Sequence, residues 1–372
     1  MAMIAGSAAA ANLENPLFIP TAGQVYSKTA AGLLYKKAND NEAMRAKDHA
    51  GAEEFPVWRL YQDLGIGITD RLTLRGSVGW TQDDPIGRKG LHNGRLGLNY
   101  RVFEQTTMPF VWDVYADAVL AGISRMDADL VASKDNLGGT YPLSFNYDNY
   151  SNGRWGVWVG SQVGKTWDDF TLTVFAEIQR TFGNDNNRIT ISDNARGIVN
   201  AMIAAKLGPS FGPLAPAVAN AYVGEIPEHF SVNTDSTWEY ATGVKAFYEI
   251  DRNWSLGGGF TIKHRANNII TDVNLTVDAD AAMGTVNPAV AAAIAGGLLS
   301  SDQLTAGLAD QFMGSLQDNI DEYIFTVAVA RQLTDSIQVA VYGEYTFDNP
   351  GPRSQNGTDV KVEGGVRLNV AF

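Results

Sequence analysis

Hydrophobic and polar positions alternate along most of this chain. In Asp359–Phe372, Val360, Val362, Val366, Leu368, Val370 and Phe372 share one parity, and Lys361, Glu363, Arg367 and Asn369 share the other. That is a strand with one apolar and one charged face, carried to the final residue. In water its apolar edge would be adhesive. Against lipid, paired with the first strand of the chain, it closes a barrel.

Earlier stretches repeat the pattern: Val25–Lys37, Phe55–Ile68, Leu72–Trp80, Asn93–Phe103, Met108–Leu120, Trp155–Lys165, Phe170–Phe182, Thr237–Ile250, Trp254–Arg265, Glu322–Leu333 and Ile337–Phe347. Most have the length a tilted strand needs to cross hydrocarbon, roughly 9–11 residues. Their connections also alternate. Thr69–Arg71, Glu104–Thr107, Thr166–Asp169, Asp251–Asn253 and Thr334–Ser336 are tight. Ala38–Glu54, Thr81–His92, Ala121–Arg154, Gly183–Ser236, Ala266–Asp321 and Asp348–Thr358 are long. Tight turns on one rim and long loops on the other predict an all-β fold: a transmembrane antiparallel up-and-down barrel of about 12 strands, with both termini in the periplasm.

Aromatic residues mark both ends of the predicted strands, in the lipid-facing phase. Tyr35, Trp58, Trp80, Trp155, Trp238, Tyr323 and Phe347 fall at the long-loop ends. Tyr100, Phe170, Tyr248, Trp254 and Phe372 fall at the short-turn ends. Two such girdles suit the two headgroup layers, where an amphipathic ring gains most. No run approaches the roughly 18 apolar residues of a membrane helix. Mean hydropathy is slightly negative, as expected when half of each strand faces a polar lumen.

The inner phase is charged. Lys28, Lys36, Arg59, Arg75, Arg95, Arg101, Lys361 and Arg367 come from strands that become neighbours on closure. Asp113, Asp117, Glu177, Glu239, Glu249 and Glu344 come mostly from the other side, with Lys245 among them. These are the expected pore-lining residues. Two readings stand: an open pore with a basic arc facing an acidic wall, or charges that pair across a filled lumen. At about twelve strands the bore lies between a packed barrel and a wide channel.

Residues 1–23 form a separate piece. Met1–Ala11 is small and apolar, and Ala9-Ala10-Ala11 is similar to the small-residue tail of a secretory signal, so a residual leader is expected there. Asn12–Gly23, with Pro16 and Pro20, is an irregular lead-in that hangs in the periplasm or tucks into the barrel mouth. Residues 24–372 form the single barrel domain.

Two long loops have content of their own. Ser192–Leu207 has helical spacing, followed by a Pro-rich piece, Gly208–Pro216, and by Ala217–Val223. Pro288–Leu299 and Ser301–Leu316 read as a helical hairpin broken at Gly296-Gly297, with Leu304, Leu308, Phe312 and Leu316 in a stripe. Such helices cap or narrow the mouth, or bind a partner.

Cysteine is absent, which removes disulfides, thiolate metal sites and a Cys nucleophile. The net charge of -13 argues against nucleic acid. No enzyme is expected, and no cofactor or metal. His49, His92 and His229 fall in loops and His264 near a strand top. Asp83-Asp84 near His92 reads as a solvated turn. Gly257-Gly258-Gly259 precedes no helix and so is no phosphate loop. The Asp-Asn run around Asp185 lacks calcium-loop spacing.

The terminal strand resembles the C-terminal assembly signal of bacterial outer-membrane barrels, which ends in an aromatic after alternating apolar residues. The charged inner phase resembles the transverse field of general diffusion porins. Outer-membrane phospholipases and omptin-type proteases need catalytic groups that this chain does not offer in phase. The likeness to Gram-negative porin-like barrels implies an integral bacterial outer-membrane protein, a channel for small hydrophilic or charged solutes. The other function to weigh is a non-conducting surface protein whose helical loops bind a partner or cap the barrel. Expected partners are outer-membrane lipid and lipopolysaccharide, small polar solutes, the assembly machinery through the C-terminal strand, and a second copy in a homo-oligomer.

Overall fold

The computed structural model describes residues 12–37, 54–83, 88–120, 128–132, 143–147, 155–191, 212–227, 229–266, 268–276, 314–317, 320–350 and 360–372, with a few isolated helical residues in the loops. The strands are β1 (Val25–Lys37), β2 (Glu54–Thr69), β3 (Leu72–Asp83), β4 (Arg88–Phe103), β5 (Val111–Val119), β6 (Ala128–Ala132), β7 (Leu143–Tyr147), β8 (Gly156–Trp167), β9 (Phe170–Thr181) and β10 (Asn184–Ile191). One helix, α1 (Ala215–Gly224), precedes β11 (His229–Thr234), β12 (Thr237–Glu249), β13 (Trp254–Arg265), β14 (Asn268–Asn274), β15 (Gly314–Gln317), β16 (Ile320–Thr334), β17 (Ile337–Pro350) and β18 (Val360–Ala371).

Twelve strands close in the order β1-β18-β17-β16-β13-β12-β9-β8-β5-β4-β3-β2. Closure is antiparallel between the first and last strands, with Tyr26 opposite Ala371 and Lys36 opposite Lys361. Val25 and Phe372 exchange backbone hydrogen bonds of 2.7 and 2.9 Å, so the final residue is part of the seam. Among the described residues the barrel itself has no edge strand, as the hydrocarbon requires.

The outer face carries Val157, Val174, Leu96, Phe325, Val327, Val341 and Val366, all exposed. This belt is flanked by the predicted aromatics. Tyr35, Trp58, Tyr100, Trp155, Phe170, Trp238, Tyr248, Trp254, Phe347 and Phe372 are exposed, and Trp80 and Tyr323 partly so. Several rim aromatics carry a cation: Arg180 lies over Trp238, Arg331 over Trp254 and Lys165 over Trp167. Polar side chains on the outer face satisfy each other. Thr29 donates to Gln62, and Gln62 donates to Ser27, at 2.6 and 2.9 Å.

Several sequence expectations are corrected. The strand expected at Met108–Leu120 starts only at Val111, because Pro109 lacks the N–H a ladder needs. The strand expected from Asn93 starts at Arg88. The long loops are not merely irregular or helical. They contribute a second sheet, in the order β15-β14-β11-β10-β7-β6, beyond the long-loop rim. β10 and β11 continue the β9–β12 hairpin past the turn-type residues Gly183 and Asp235-Ser236. Gly314–Leu316, expected at a helix end, belongs to β15. The described residues of Ser192–Leu207, namely 196–197, 200–201 and 204–205, are helical, as is Ala306. The remainder of that stretch and of residues 288–313 lies outside the described residues. The helix that the alternation did not announce is α1, which starts at the end of the Pro-rich piece and runs through Ala217–Val223. Its Ala215, Val218, Ala219, Tyr222 and Val223 are buried, together with Phe230, Val232, Val273 and Leu275 of the second sheet.

Candidate functional site

The lumen is the site. Asn12–Pro20 does not hang free. It folds back into the short-turn end of the barrel and is bonded to the wall on opposite sides. Gln338 on β17 donates to Asn12 at 2.8 Å, and Asn369 and Arg367 on β18 donate to Glu14 at 2.7 and 2.8 Å. Lys28 on β1 donates to the Leu13 carbonyl at 2.7 Å. On the far side, Arg101 on β4 donates to the Leu17 carbonyl at 2.6 Å and Gln162 on β8 to the Pro16 carbonyl at 3.0 Å. Asn15 donates to Thr171 on β9 at 3.3 Å. Leu13 and Leu17 are buried against this floor. Burial acts to raise the Glu14 pKa. Arg367 and Lys28, with the hydrogen bonds from Asn369 and Arg367, outweigh it and hold the carboxyl below the ordinary range.

Above this segment lies a cavity of about 670 Å³. Its wall includes Lys28, Arg59, Arg75, Arg95, Asp117, Glu177, Lys245, Glu344 and Arg367 of the predicted lining, with Glu14, Asp63 and Glu363. A smaller cavity on the periplasmic side of the segment includes Arg101 and Glu249. Of the other predicted residues, Asp113 is fully buried beneath Arg101, Glu239 pairs with Lys263, and Lys361 pairs with Glu322. The Lys36 side chain lies outside the described residues.

The expected separation of a basic arc from an acidic wall is not what the geometry shows. The charges interdigitate. Arg101 and Asp113 are cross-strand neighbours at 2.8 Å. Arg75 on β3 reaches over β4 to Asp117 on β5 through two bonds of 2.9 and 2.7 Å. The intervening residue is Gly97, where an added Cβ would stand 2.1 Å from the Asp117 Oδ1. Arg59 on β2 reaches Glu363 on β18 at 2.8 Å on a diagonal past Gly32 on β1, where an added Cβ would stand 3.1 Å from the Glu363 Oε1. Glycine at the middle strand is therefore what lets a pair bridge three strands. Sequence reasoning left charges pairing across the lumen as one of two readings, but it named no pairs and gave no sign of these spans. It also passed over Glu14, Asp63, Lys263 and Glu322, and left Glu363, which it put on the charged face of the last strand, out of the lining. All but Glu14 have inner-face parity, so parity alone could have found them. Glu14 carried no periodic signal.

An aromatic cluster braces the cationic side. Arg75 lies 4.6 Å from the Tyr115 ring centroid and 5.1 Å from that of Trp158. Arg95 lies 4.0 Å from the Trp158 centroid and donates to Gln179 at 3.2 Å. The Tyr115 hydroxyl donates to Glu177 at 2.6 Å. His264 is far from all this. It meets Asp321 at 2.7 Å on the outer face near the long-loop rim. Among the described residues no group of His, Asp and Glu is arranged to hold a metal ion.

No family model matches the chain, and no curated protein does. Among solved structures it is similar to an outer membrane channel from Pseudomonas putida F1, at 13% identity over 95% of this chain and 97% of that one, with a TM-score of 0.50. It is more distantly similar to the NanC porin, at 9% identity over 93% and 98% of the chains and a TM-score of 0.37. A Pseudomonas aeruginosa FadL homologue gives 12% identity over 94% and 89%, with a TM-score of 0.39. At these identities the likeness is one of fold. The closed wall, the apolar belt and both girdles are those of an integral outer-membrane β-barrel.

Proposed function

We propose that the protein is a narrow outer-membrane channel for small polar and charged solutes, held occluded at its periplasmic end by Asn12–Pro20. The observation that carries this reading is the charge-lined cavity of about 670 Å³ inside a closed wall, ending on a segment bonded to opposite sides of the barrel. Closely spaced fixed charges favour hydrated polar solutes and disfavour apolar ones. Planar-bilayer recording tests it. The full chain should conduct in small steps, and a chain lacking residues 12–20 in larger ones. Equal conductance of the two would remove the segment from the pathway, and silence of both would end the channel reading.

The second sheet supports the other function. Its own buried core, with Val232 and Tyr222 almost fully covered, makes a surface module independent of lipid. A partner retained by the full chain and lost when this module is deleted, in a protein that never conducts, would favour a surface role.

A further inference from the structure

The ion pairs of the lumen leave a remainder, and the remainder is separated by sign. Arg59, Arg75 and Arg367 of the cavity wall are bound to Glu363, Asp117 and Glu14. Lys28 and Asp63 stand opposite each other across β1 and β2 and offset one another. Arg95, Lys245 and Glu344 line the same cavity, and among the described residues none of the three has an ion-pair partner. Arg95 rests on Trp158, Lys245 stands 4.6 Å from the Phe175 centroid, and Glu344 accepts only from Thr346 at 3.3 Å. Glu177, which takes the Tyr115 hydroxyl, lies on β9 between the two cations and offsets one of them. One positive charge is thus left on the arc from β12 to β4, and one negative charge on β17.

The two ends of this dipole are well placed. Around the wall, Glu344 on β17 is three strands from Lys245 on β12 and five from Arg95 on β4, so Glu344 and Arg95 stand nearly opposite. In height they match: Arg95 is eight residues from the periplasmic end of β4 at Phe103, and Glu344 seven from that of β17 at Ile337. Between Lys245 and Glu344 the cross-strand row runs through Gly259 and Thr326, so no large side chain screens one from the other.

A simple ion gains on one arc of such a wall what it loses on the other. A solute carrying both charges, separated, gains on both when it lies across the bore. Resting on the channel reading above, we infer that this lumen favours small zwitterions, of the kind with one ammonium and one carboxylate, over ions of either sign and over uncharged molecules of the same size.

Liposome swelling with the full chain separates these classes. Glycine, glycolamide, glycolate and glycinamide have the same number of heavy atoms and are respectively zwitterionic, neutral, anionic and cationic. One charge met at about 7 Å in water is worth about three-fold, so glycine, which meets one at each end, should enter roughly seven- to nine-fold faster than glycolamide, and faster than either ion. Glu344→Gln should cut the glycine advantage and lift glycolate above glycinamide, whereas Arg95→Gln should cut it and reverse that order. Both variants are compared only after a heat-modifiable gel shift shows a folded barrel, and either one suffices. Glycine entering no faster than glycolamide, in a protein that passes glycolamide, would overturn the inference and leave the channel standing. If glycolamide fails to enter, the channel reading falls and the inference with it.

Discussion

The barrel and the sheet above it are built from the same kind of strand, with opposite insides. In the barrel charged and polar residues are hidden on the inner side: Asp113, Asn369 and Glu363 are buried there beside apolar Leu34, Val57 and Phe247, while Val341 and Trp155 are open on the outer side. In the second sheet the hidden residues are Val232, Phe230 and Val273, and in α1 they are Val218 and Tyr222, all apolar or aromatic. The difference teaches that a strand's alternation reports two faces, not which of them is the core. The medium on each side decides that. Lipid outside and water inside gives the barrel; water all around gives the cap its apolar interior.

Breaking a buried lumen pair should have the largest effect. Asp113 has a fully buried side chain and Arg101 is only 12% exposed, so this pair is the nearest thing the barrel has to a core contact. Asp113→Ala would strand the Arg101 guanidinium and cost about 3–5 kcal/mol, read as a lower denaturant midpoint of the folded barrel. Adding Arg101→Met should restore most of it. If the double variant is as weak as the single one, pairing is not what stabilises this wall.

The outer face is the next place to press. Val327 is at the centre of β16 and 52% exposed. On a protein in water, Val327→Arg would be nearly neutral. Facing mid-bilayer, it should cost about 2–4 kcal/mol in a lipid-based unfolding titration. A neutral result would place this face against water or protein, and the contrast between the two regions would collapse.

How much of this was readable follows from the same contrast. Each barrel strand separates two media, so Leu96, Leu98 and Tyr100 alternate with Arg95, Gly97, Asn99 and Arg101 without exception, and closure, girdles and turn rim could all be derived. The cap strands are short, and β10 reads Asn-Asp-Asn-Asn-Arg-Ile-Thr-Ile, with too few apolar positions to declare a period. Their pairing is between loops distant in sequence, which no local pattern records. In the lumen, parity identified which residues point inward. It could not say which would pair, because Arg75 and Asp117 meet only across the missing side chain of Gly97. Nor could it reveal that Asn12–Pro20 would supply the floor, since its contacts are backbone carbonyls, two Asn side chains and one carboxylate, none of them periodic.

The cap offers a smaller and local effect. Val232 is fully buried, and Val232→Ala should cost about 2 kcal/mol through lost burial and the cavity left behind. Hydrogen exchange should quicken in β11, β14 and α1, while the barrel's denaturant midpoint stays put. Loss of barrel stability would mean that the two interiors are one cooperative unit after all.

The smallest expected effect concerns the one stretch that belongs to neither region. Asn12–Pro20 is chain from the aqueous side that buries Leu13 and Leu17 inside the polar lumen, and Glu14 is its anchor through Arg367 and Asn369. The Glu14 carboxyl has its pKa lowered in the folded state, so its contribution to docking is full above the ordinary carboxylate value of about 4.3. It is lost as pH falls below that value and through the lowered folded one. Proteolytic cleavage within the segment, or the frequency of large conductance steps, should therefore stay flat from neutral pH down to about 4.3 and rise below it. Glu14→Gln should keep the hydrogen bond from Asn369, lose the attraction of Arg367, show a modestly raised rate at neutral pH, and lose the acid dependence. A wild-type response that instead rises between neutral pH and 5 would point to some other titrating group as the latch. The floor of the lumen would then be held by something other than the Glu14 and Arg367 pair.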